Sequence, residues 1–259
     1  MSKTPEQIAL MAESGRLLAS VFGYLDRLDL LGMSTLQVND LVDKYIVDEL
    51  KARPASKGQY GFAYAMNTSR NEVVCHGVPS ANEMLRDGDL VNFDITLEKN
   101  GYITDSSKIY LIGRVSDQAR QLTRVTYEAM CKGIAAVRPG ARLGDIGHAI
   151  ERHARAHGYS VVRDYCGHGI GREMHEPPEV LHWGKAGTGL TLREGMTFTI
   201  EPMLNQGTAD VRTLRDGWTV VTCDGQLSAQ FEHTVAVTRE GVRVLTLRPE
   251  ELHLSGVSA

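Results

Sequence analysis

The sequence predicts an α/β fold of the α+β kind, built from two related halves that each pack helices on an antiparallel sheet. Two observations predict it. Helical periodicity precedes β-rich segments twice along the 259 residues. The turn-forming tetrapeptides Leu85-Arg86-Asp87-Gly88 and Leu192-Arg193-Glu194-Gly195 each begin nine residues before a carboxylate, Asp94 and Glu201 respectively. An approximate two-fold relation between the halves would therefore bring these two carboxylates face to face.

The first half begins with two predicted helices. Thr4 and Gln7 fit a capping box, and apolar residues then recur at helical spacing. Ser34 and Gln37 repeat this start signal for a second helix, which we expect to end near Lys51. The segment 54–82 is polar and contains glycine, so it is predicted to be irregular.

Strands follow in the first half, and the same order repeats in the second. The segment 90–97 is β-rich, Lys99-Asn100-Gly101 is typical of a tight turn, and a strand returns over 109–112. The second half is predicted to contain helices over 117–137 and 144–157, followed by strands over 197–200, 218–222, 230–237 and 242–245.

Composition narrows the function classes. The chain has 28 basic and 32 acidic residues, a net charge of −4, and 42% hydrophobic residues, which indicates a globular protein rather than a disordered or collagen-like one. Without a cluster of basic residues, DNA is not an expected partner. No stretch approaches the ~18 uninterrupted apolar residues of a membrane span, and the polar start predicts no signal peptide. The four cysteines are too widely spaced for a zinc motif or a local disulfide framework, so we expect reduced thiols in the cytoplasm.

Four carboxylates stand in β-rich apolar segments. A lone buried carboxylate costs several kcal/mol unless it is paired or bound to a metal. Asp94 lies within the first predicted strand, and Asp105 could fall opposite it across the turn. Glu201 and Glu232 repeat the situation in the second half. Each alone could lie on a solvated strand face, but an oxygen-rich site for one or two divalent cations explains all four together.

Histidines supply further candidates. His168 lies in a run of small residues, Cys166-Gly167-His168-Gly169-Ile170-Gly171, and His76 stands where a strand turns away. By contrast, His153 and His157 lack the glutamate of a H-E-x-x-H motif and are interpreted as a solvated helix face. The glycine run does not match a dinucleotide-binding loop, and no serine-hydrolase elbow is present in the sequence.

Five ordered segments together carry a resemblance. They are Asn71-Glu72-Val73-Val74-Cys75-His76-Gly77, Asn92-Phe93-Asp94-Ile95-Thr96 with Thr104-Asp105-Ser106-Ser107, Cys166-Gly167-His168-Gly169-Ile170-Gly171, Phe198-Thr199-Ile200-Glu201-Pro202-Met203, and Ser228-Ala229-Gln230-Phe231-Glu232-His233-Thr234. In order and spacing this set resembles the type I methionine aminopeptidases, in their bacterial form, from about residue 5 to 248. The resemblance implies the pita-bread fold, with a single catalytic domain over 1–259 and halves of about 5–113 and 117–248.

The resemblance also implies a dinuclear metal site. Asp94 would bind one divalent ion, Asp105 and Glu232 would bridge two, and His168 and Glu201 would complete the second. Oxygen-rich ligation with one imidazole is compatible with Co, Mn, Fe or Zn. The reaction implied is removal of an N-terminal methionine, by attack of metal-activated water on the first peptide bond.

Catalytic roles are carried over by position. Glu201 would move the proton from the attacking water to the leaving amine. His175 would hydrogen-bond the developing oxyanion, and His76 the scissile amide or the leaving nitrogen. Asn71, Val73 and Ser228 match positions that hold a structural monovalent cation in some relatives.

A small apolar pocket should select methionine. We expect its walls to include Phe62, Met174 and Trp218, with Tyr60 as a further candidate. Three positions depart from the bacterial pattern: Met174 and Gln59 stand where an aromatic residue is common, and Asn67 where a cysteine is frequent.

The resemblance implies N-terminal methionine peptides and nascent chains as substrates. Association with the ribosome, a monomeric state and a cytoplasmic location are further expectations. The nearest alternatives are a proline-directed aminopeptidase, a prolidase or a creatinase-like enzyme of the same fold. A non-catalytic pita-bread protein that binds a peptide, and a two-metal phosphoesterase, are more distant ones.

Overall fold

Two pairs of α-helices alternate with β-strands along residues 2–251, the part of the chain that the computed structural model describes. The helices are α1 (Pro5–Leu25), α2 (Thr35–Lys44), α3 (Asp117–Ala135) and α4 (Leu143–Ala156). The capping boxes predicted at Thr4 and Ser34 are both formed. α2 continues into a π-helical turn, Tyr45–Glu49, so the predicted end of the second helix near Lys51 is close to the observed one.

Within residues 2–251, fifteen strands follow or separate these helices. In the first half they are β1 (Arg53–Pro54), β2 (Met66–Arg70), β3 (Val73–Cys75), β4 (Leu90–Lys99) and β5 (Tyr102–Leu111). In the second half they are β6 (Ser160–Val161), β7 (Gly167–Gly169), β8 (Glu176–Val180), β9 (Thr197–Ile200), β10 (Met203–Asn205), β11 (Val211–Thr213), β12 (Val220–Thr222), β13 (Ser228–Gln230), β14 (Glu232–Thr238) and β15 (Gly241–Val244).

One nine-stranded antiparallel sheet joins the two halves. Its order is β1-β4-β5-β14-β9-β7-β8, with β2 paired to β4 and β15 paired to β14. The halves meet where β5 pairs with β14, in a register that places Glu232 opposite Ser107 and His233 opposite Ser106. Two three-stranded sheets, β13-β10-β6 and β11-β12-β3, complete the structure of the described residues.

Each half has its own hydrophobic core between helices and sheet. In the first core, Phe22 of α1 and Val38 of α2 are buried with Phe93 of β4. In the second core, α3 and α4 pack against β9 and β14, where Phe198 and Val235 are fully buried. Apolar burial of this kind stabilises a fold by roughly 25 cal/mol per Å². The predicted fold class, two halves with helices on an antiparallel sheet, is confirmed.

The repeated tetrapeptide forms equivalent turns in the two halves. Leu85 and Leu192 are each 1% exposed. Gly88 and Gly195 have φ values of +98° and +86°, a backbone conformation that side chains with a Cβ rarely adopt. The sequence repeat therefore reflects a repeated structural unit that leads into β4 in one half and β9 in the other.

The hairpin between β4 and β5 confirms the predicted turn and corrects its register. Asn100 and Gly101 both have positive φ and close a two-residue loop. Asp105, however, pairs with Thr96 rather than with Asp94, which lies opposite Ser107. Because Thr96 and Asp94 are two residues apart, Asp105 still shares a face with Asp94, one position along the diagonal.

Two strand predictions are wrong in detail. The segment 54–82 is not irregular throughout, since it contains β2 and β3. The strand predicted over 230–237 is divided at Phe231 into β13 and β14, which belong to different sheets. The break turns Gln230 and Glu232 into the ends of two strands, and both reach the cavity described below.

Helix α1 has the length and composition that could cross a membrane, with a mean hydropathy of 1.2 in its most apolar stretch. In the structure 44% of that stretch is buried, and α1 contacts β4 and β5. Buried helices of globular proteins can have the same length and hydropathy. Leu18, Phe22 and Leu25 are buried in the first core, so α1 packs as a core helix here.

Candidate active site

The five metal-ligand candidates come from five different places in the fold and line one cavity of about 600 Å³. Asp94 lies on β4, Asp105 on β5 and His168 on β7. Glu201 follows β9 directly, and Glu232 begins β14. The sheet thus brings together side chains separated by up to 138 positions.

These side chains lie close enough to share cations. One ligand atom each from Asp105, His168 and Glu232 lie within 4.8 Å of one another. His168 Nε2 is 3.6 Å from Glu201 Oε1. Asp105 also accepts a hydrogen bond from Thr96 Oγ1 over 3.1 Å, which fixes one carboxylate oxygen and leaves the other toward the cluster.

Burial makes ionisation of these acids costly. Loss of hydration raises the pKa of Asp94 to about 6 and that of Glu201 to about 8. The pKa values of Asp105 and Glu232 lie well above the usual range, first through burial and then through the neighbouring carboxylates. Arg248 opposes the shift at Glu232 but does not cancel it. Four carboxyl groups with raised pKa values, two of them buried and two partly buried, are what a divalent cation would stabilise in their ionised form, so this donor set fits such ions.

His168 presents one nitrogen to the cluster. Its Nδ1 lies 3.0 Å from the carbonyl oxygen of Gly169, an arrangement that assigns the proton to Nδ1 and leaves the lone pair of Nε2 for a cation. Burial, more than any other cause, lowers the pKa of His168 to about 4, so the ring is neutral near pH 7. Gly167 is required by packing: a Cβ there would lie 2.5 Å from the carbonyl oxygen of Thr199 on the adjacent strand β9.

His76 and His175, which are predicted to act in catalysis without binding metal, border the same cavity. The His175 ring packs edge-on against His168, with centroids 4.4 Å apart, and stacks with Tyr60 at 5.9 Å. His76 has a φ of +56° and contacts the Tyr165 ring edge-on at 5.5 Å. Burial lowers the pKa of both His76 and His175, and His175 adds to the effect at His76. Neutral imidazoles can donate one hydrogen bond and accept another.

Glu201 has three partners that sequence reasoning missed. Thr199 Oγ1 donates to its Oε1 over 2.7 Å, and Gln230 Nε2 donates to its Oε2 over 3.3 Å. The main-chain N–H of Glu201 donates to Nε2 of buried His182 over 3.1 Å. The two-residue spacing of Thr199 and Glu201 could have indicated the first contact. No signal in the sequence pointed to His182.

Arg248 and Glu251, near the end of the described residues, are linked to Glu232 through Ser106. Its carbonyl oxygen accepts a hydrogen bond from Ser106 Oγ over 2.7 Å. Arg248, 1% exposed, donates to Ser106 Oγ over 3.1 Å and pairs with Glu251 over 2.6 Å. The segment after β15 therefore stabilises the pairing of β5 with β14, the strand that begins at Glu232.

The predicted pocket residues all line the cavity. The rings of Phe62 and Trp218 lie 5.0 Å apart at an angle of 59°, whereas Met174, 7% exposed, packs in a separate apolar cluster with Ile103 and Ile170. Gln59 and Asn67, the two other departures from the bacterial pattern, also line the cavity and are its polar members among these five.

The predicted monovalent-cation residues lie away from the cavity lining. The carbonyl oxygen of Asn71 accepts a hydrogen bond from the main-chain N–H of Ser228 over 2.9 Å, so these two residues are adjacent, and Val73 begins β3 two residues later. The Asn71 side chain donates to Asp89 over 2.8 Å and accepts from the main chain of Leu90. The cation site itself remains a prediction.

An oxygen-rich ligand cluster beside two neutral histidines and apolar residues of the same cavity defines the class as a metal-dependent hydrolase. Comparison with known proteins agrees. The family model described as "Metallopeptidase family M24" matches residues 9–239. The chain is 50% identical to methionine aminopeptidase B of Synechocystis over 92% of its own length and 88% of the relative's. It is 45% identical to the methionine aminopeptidase of Escherichia coli K12, covering 96% of this chain and 94% of that one.

A solved structure extends the match to three dimensions. The crystal structure of methionine aminopeptidase from Rickettsia prowazekii superposes with a TM-score of 0.93 at 46% identity, covering 95% of this chain and 99% of that one. The chain therefore belongs to metallopeptidase family M24, among its methionine aminopeptidases. The predicted family and the pita-bread fold are confirmed, and membership of a metallopeptidase family implies the use of divalent metal.

Proposed function

We propose that the protein removes methionine from the N-terminus of peptides and nascent chains by hydrolysing the first peptide bond. One observation carries this proposal: Asp105, His168 and Glu232 offer ligand atoms within 4.8 Å of one another in the cavity that also holds His76 and His175. Apolar residues line the same cavity, so it offers both a hydrolytic centre and a place for a thioether side chain.

The five ligands suit two divalent ions, chosen from Co, Mn, Fe and Zn. Asp94 would hold one ion, Asp105 and Glu232 would bridge both, and His168 and Glu201 would complete the second. When bound, the ions supply Lewis acidity, which lowers the pKa of water from 15.7 toward ~7–9 and polarises the scissile carbonyl.

Three side chains of the protein then handle protons and developing charge. Glu201 accepts a proton from the attacking water and delivers it to the leaving amine, and its partners Thr199 and Gln230 hold both of its oxygens in place. His175 donates a hydrogen bond to the carbonyl oxygen as negative charge develops there. His76 orients the scissile amide.

Substrate choice follows from the walls of the cavity. Phe62, Met174 and Trp218 would enclose the methionine side chain, with Tyr60 at the mouth, where it is 75% exposed. The free α-amine would also be held at the second ion, which would restrict cleavage to the terminal residue.

We place the reaction in the cytoplasm, on a monomer that can associate with the ribosome, since nascent chains are the natural source of N-terminal methionine. We further propose that residues 1–259 form one catalytic domain with halves of about 5–113 and 117–248. Residues 1 and 252–259 of this domain lie outside the described part of the chain. Asn71, Val73 and Ser228 are proposed to hold a structural monovalent cation through oxygen atoms.

Release of methionine from a Met-Ala-Ser peptide tests the proposal. The full chain is assayed as prepared, after chelation, and after Mn, Fe, Co or Zn is restored one at a time. We expect chelation to abolish methionine release and at least one metal to restore it. Activity that does not respond to chelation would rule out the metal site.

A second peptide separates the alternatives within the fold. A proline-directed aminopeptidase or prolidase would cleave an x-Pro-x peptide or an x-Pro dipeptide in preference to Met-Ala-Ser. We expect the opposite preference, because a flexible thioether fits the apolar lining residues Phe62, Met174 and Trp218. Preference for the proline substrates would overturn the proposed specificity while leaving the metal site intact.

A further inference from the structure

Helices α3 and α4 bring three metal-binding side chains together outside the cavity described above. Glu128 lies on α3, His153 lies in the last turn of α4, and His157 follows α4 directly as its C-cap residue. His153 Nε2 is 3.0 Å from Glu128 Oε2, and the two imidazole centroids are 4.5 Å apart. One ligand atom from each of the three side chains lies within 4.8 Å of the other two.

In this helix cluster (Glu128, His153 and His157), His153 Nε2 and Glu128 Oε2 are bonded to each other, and the other hydrogen bonds orient the three side chains. His157 Nδ1 lies 2.9 Å from the carbonyl oxygen of His153, which assigns the proton to Nδ1 and leaves the lone pair of Nε2 free. Arg124 donates to Glu128 Oε1 over 2.7 Å, so Oε2 is the carboxylate oxygen that faces the histidines. The carboxylate is therefore already oriented toward them.

We propose that the helix cluster is a second, separate metal site, one that takes Zn²⁺ or a similar borderline divalent ion. Two imidazoles and one carboxylate are a donor set that zinc accepts in proteins, with open positions filled by water. When the ion binds, the single proton of the neutral His153 ring moves from Nε2 to Nδ1, and the ion replaces the hydrogen bond between His153 Nε2 and Glu128 Oε2.

The two sites differ in chemistry. The five predicted ligands in the cavity are four carboxylates and one imidazole, whereas the helix cluster offers two imidazoles and one carboxylate. Nitrogen-rich sites favour Zn, Ni and Cu, and oxygen-rich sites accept harder ions such as Mn. The interpretation of His153 and His157 as a solvated helix face is thus incomplete, because it could not include Glu128 from the neighbouring helix.

A bound ion would join α3 to α4. These helices pack against each other and close the second core, where Val125 of α3 and Ile146 of α4 are fully buried. An ion at free concentration c that binds only the folded state stabilises it by RT ln(1 + c/Kd), so the unfolding temperature rises with ion concentration once this exceeds Kd. Zinc at the helix cluster should therefore stabilise the second half of the fold without changing the catalytic residues.

Zinc stoichiometry of the full chain tests the proposal. Zn²⁺ is titrated in competition with a chromophoric chelator against the natural sequence, His157→Gln and Glu128→Gln. The matched control is His148→Gln, since His148 is exposed on the same helix but lies outside the cluster. We expect the natural sequence and His148→Gln to bind one more ion per chain than the two cluster variants, or to bind that ion at least 10- to 100-fold more tightly.

A fourth variant tests the sign of the effect. Arg124→Gln removes the cation that occupies Glu128 Oε1, so its zinc affinity at the helix cluster should rise above that of the natural sequence. Equal stoichiometry and affinity in all five proteins would overturn the proposal, since the cavity ligands are the same in each.

Two further readouts separate this site from the cavity. Zn²⁺ should raise the unfolding temperature of His148→Gln more than that of His157→Gln or Glu128→Gln. Methionine release by the Mn-restored protein should be the same in all of these variants. Equal thermal shifts in control and cluster variants would contradict the proposal, and this result does not depend on the proposed substrate.

Discussion

The main-chain N–H of Glu201 donates a hydrogen bond to Nε2 of His182 over 3.1 Å, at a point where His182 is fully buried. The acceptor nitrogen must be unprotonated. Burial, followed by the neighbouring His168, lowers the pKa of His182 to about 3, so the ring remains an acceptor throughout the neutral range. His182 therefore fixes the backbone from which the Glu201 carboxylate extends.

Substitution His182→Ala should lower kcat for methionine release and weaken Mn²⁺ binding by about 10- to 100-fold, the usual cost of losing a residue that orients a ligand. Leu181→Ala is the matched control, because Leu181 is the adjacent residue and is 38% exposed. Metal titration and steady-state kinetics measure both effects. Full activity in His182→Ala at low Mn²⁺ would show that the contact does not position Glu201.

Substitutions Asp105→Asn and Glu232→Gln should abolish methionine release while leaving the circular dichroism spectrum unchanged. In the presence of a chelator they should also raise the unfolding temperature, since each removes a buried acid that its neighbours repel. In a chain of this size about 1 kcal/mol moves Tm by about 2–4 °C. A lower Tm in both variants would argue against mutual repulsion in the metal-free cluster.

The free energy of unfolding of the chelated protein should fall as pH rises from 7 to 8. The pKa of Glu201 is about 8 in the folded state against an ordinary value of 4.5, so in this window the folded protein binds more protons than the unfolded chain. The stabilising protonation is complete below the unfolded pKa and is lost as pH rises through the folded one. The lowered pKa values of buried histidines such as His168 and His182 act in the opposite direction, and their effect fades toward pH 8 because unfolded imidazoles are by then neutral.

Chemical denaturation at several pH values, with chelator and with saturating Mn²⁺, measures this dependence. The decrease of the free energy of unfolding with pH should be smaller in Glu201→Gln, because this variant has no carboxyl group at position 201. It should also be smaller with metal, because a bound cation favours the ionised carboxylate. A chelated protein whose stability rises between pH 7 and 8 would contradict the assigned direction.

Substitution Phe62→Ala should lower kcat/KM for Met-Ala-Ser by about 10- to 200-fold, the range that a lost apolar contact produces in a specificity pocket. Phe62 packs against Trp218 at 5.0 Å, so the variant opens the wall of the proposed methionine pocket. Met84→Ala, at an exposed position outside the cavity lining, is the control. An unchanged kcat/KM in Phe62→Ala would place the methionine side chain elsewhere.

Local signals in the sequence predicted the parts of the fold that depend on near neighbours. The capping residues Thr4 and Ser34 fixed two helix starts, and Asn100-Gly101 fixed the hairpin turn, because each acts through contacts within a few residues. The strand β2 was missed, since its burial does not alternate along Met66–Arg70. β7 is three residues long and takes its conformation from its neighbours.

The candidate site shows the same difference between residues recognised by local patterns and residues placed by long-range contacts. The carboxylates were found because an acid in an apolar strand is unusual within its own segment, as at Asp94. His182 and the pairing of Arg248 with Ser106 depend on contacts across 19 and 142 positions, which no local pattern reports. Glu128 was missed as a partner of His153 for the same reason, since the contact joins two helices.

The pairing of β5 with β14 has a consequence for the stability of the folded enzyme when metal is scarce. Only two register pairs, at Ser106 and Ser107, join the halves there, and the ligands lie on both sides: Asp94 and Asp105 on one, Glu232 on the other. Bound ions would hold the two strands together at this junction, and their loss would leave four carboxyl groups that are costly to ionise beside only two register pairs. Cellular metal supply would then govern how readily proteases degrade the protein as well as how fast it works.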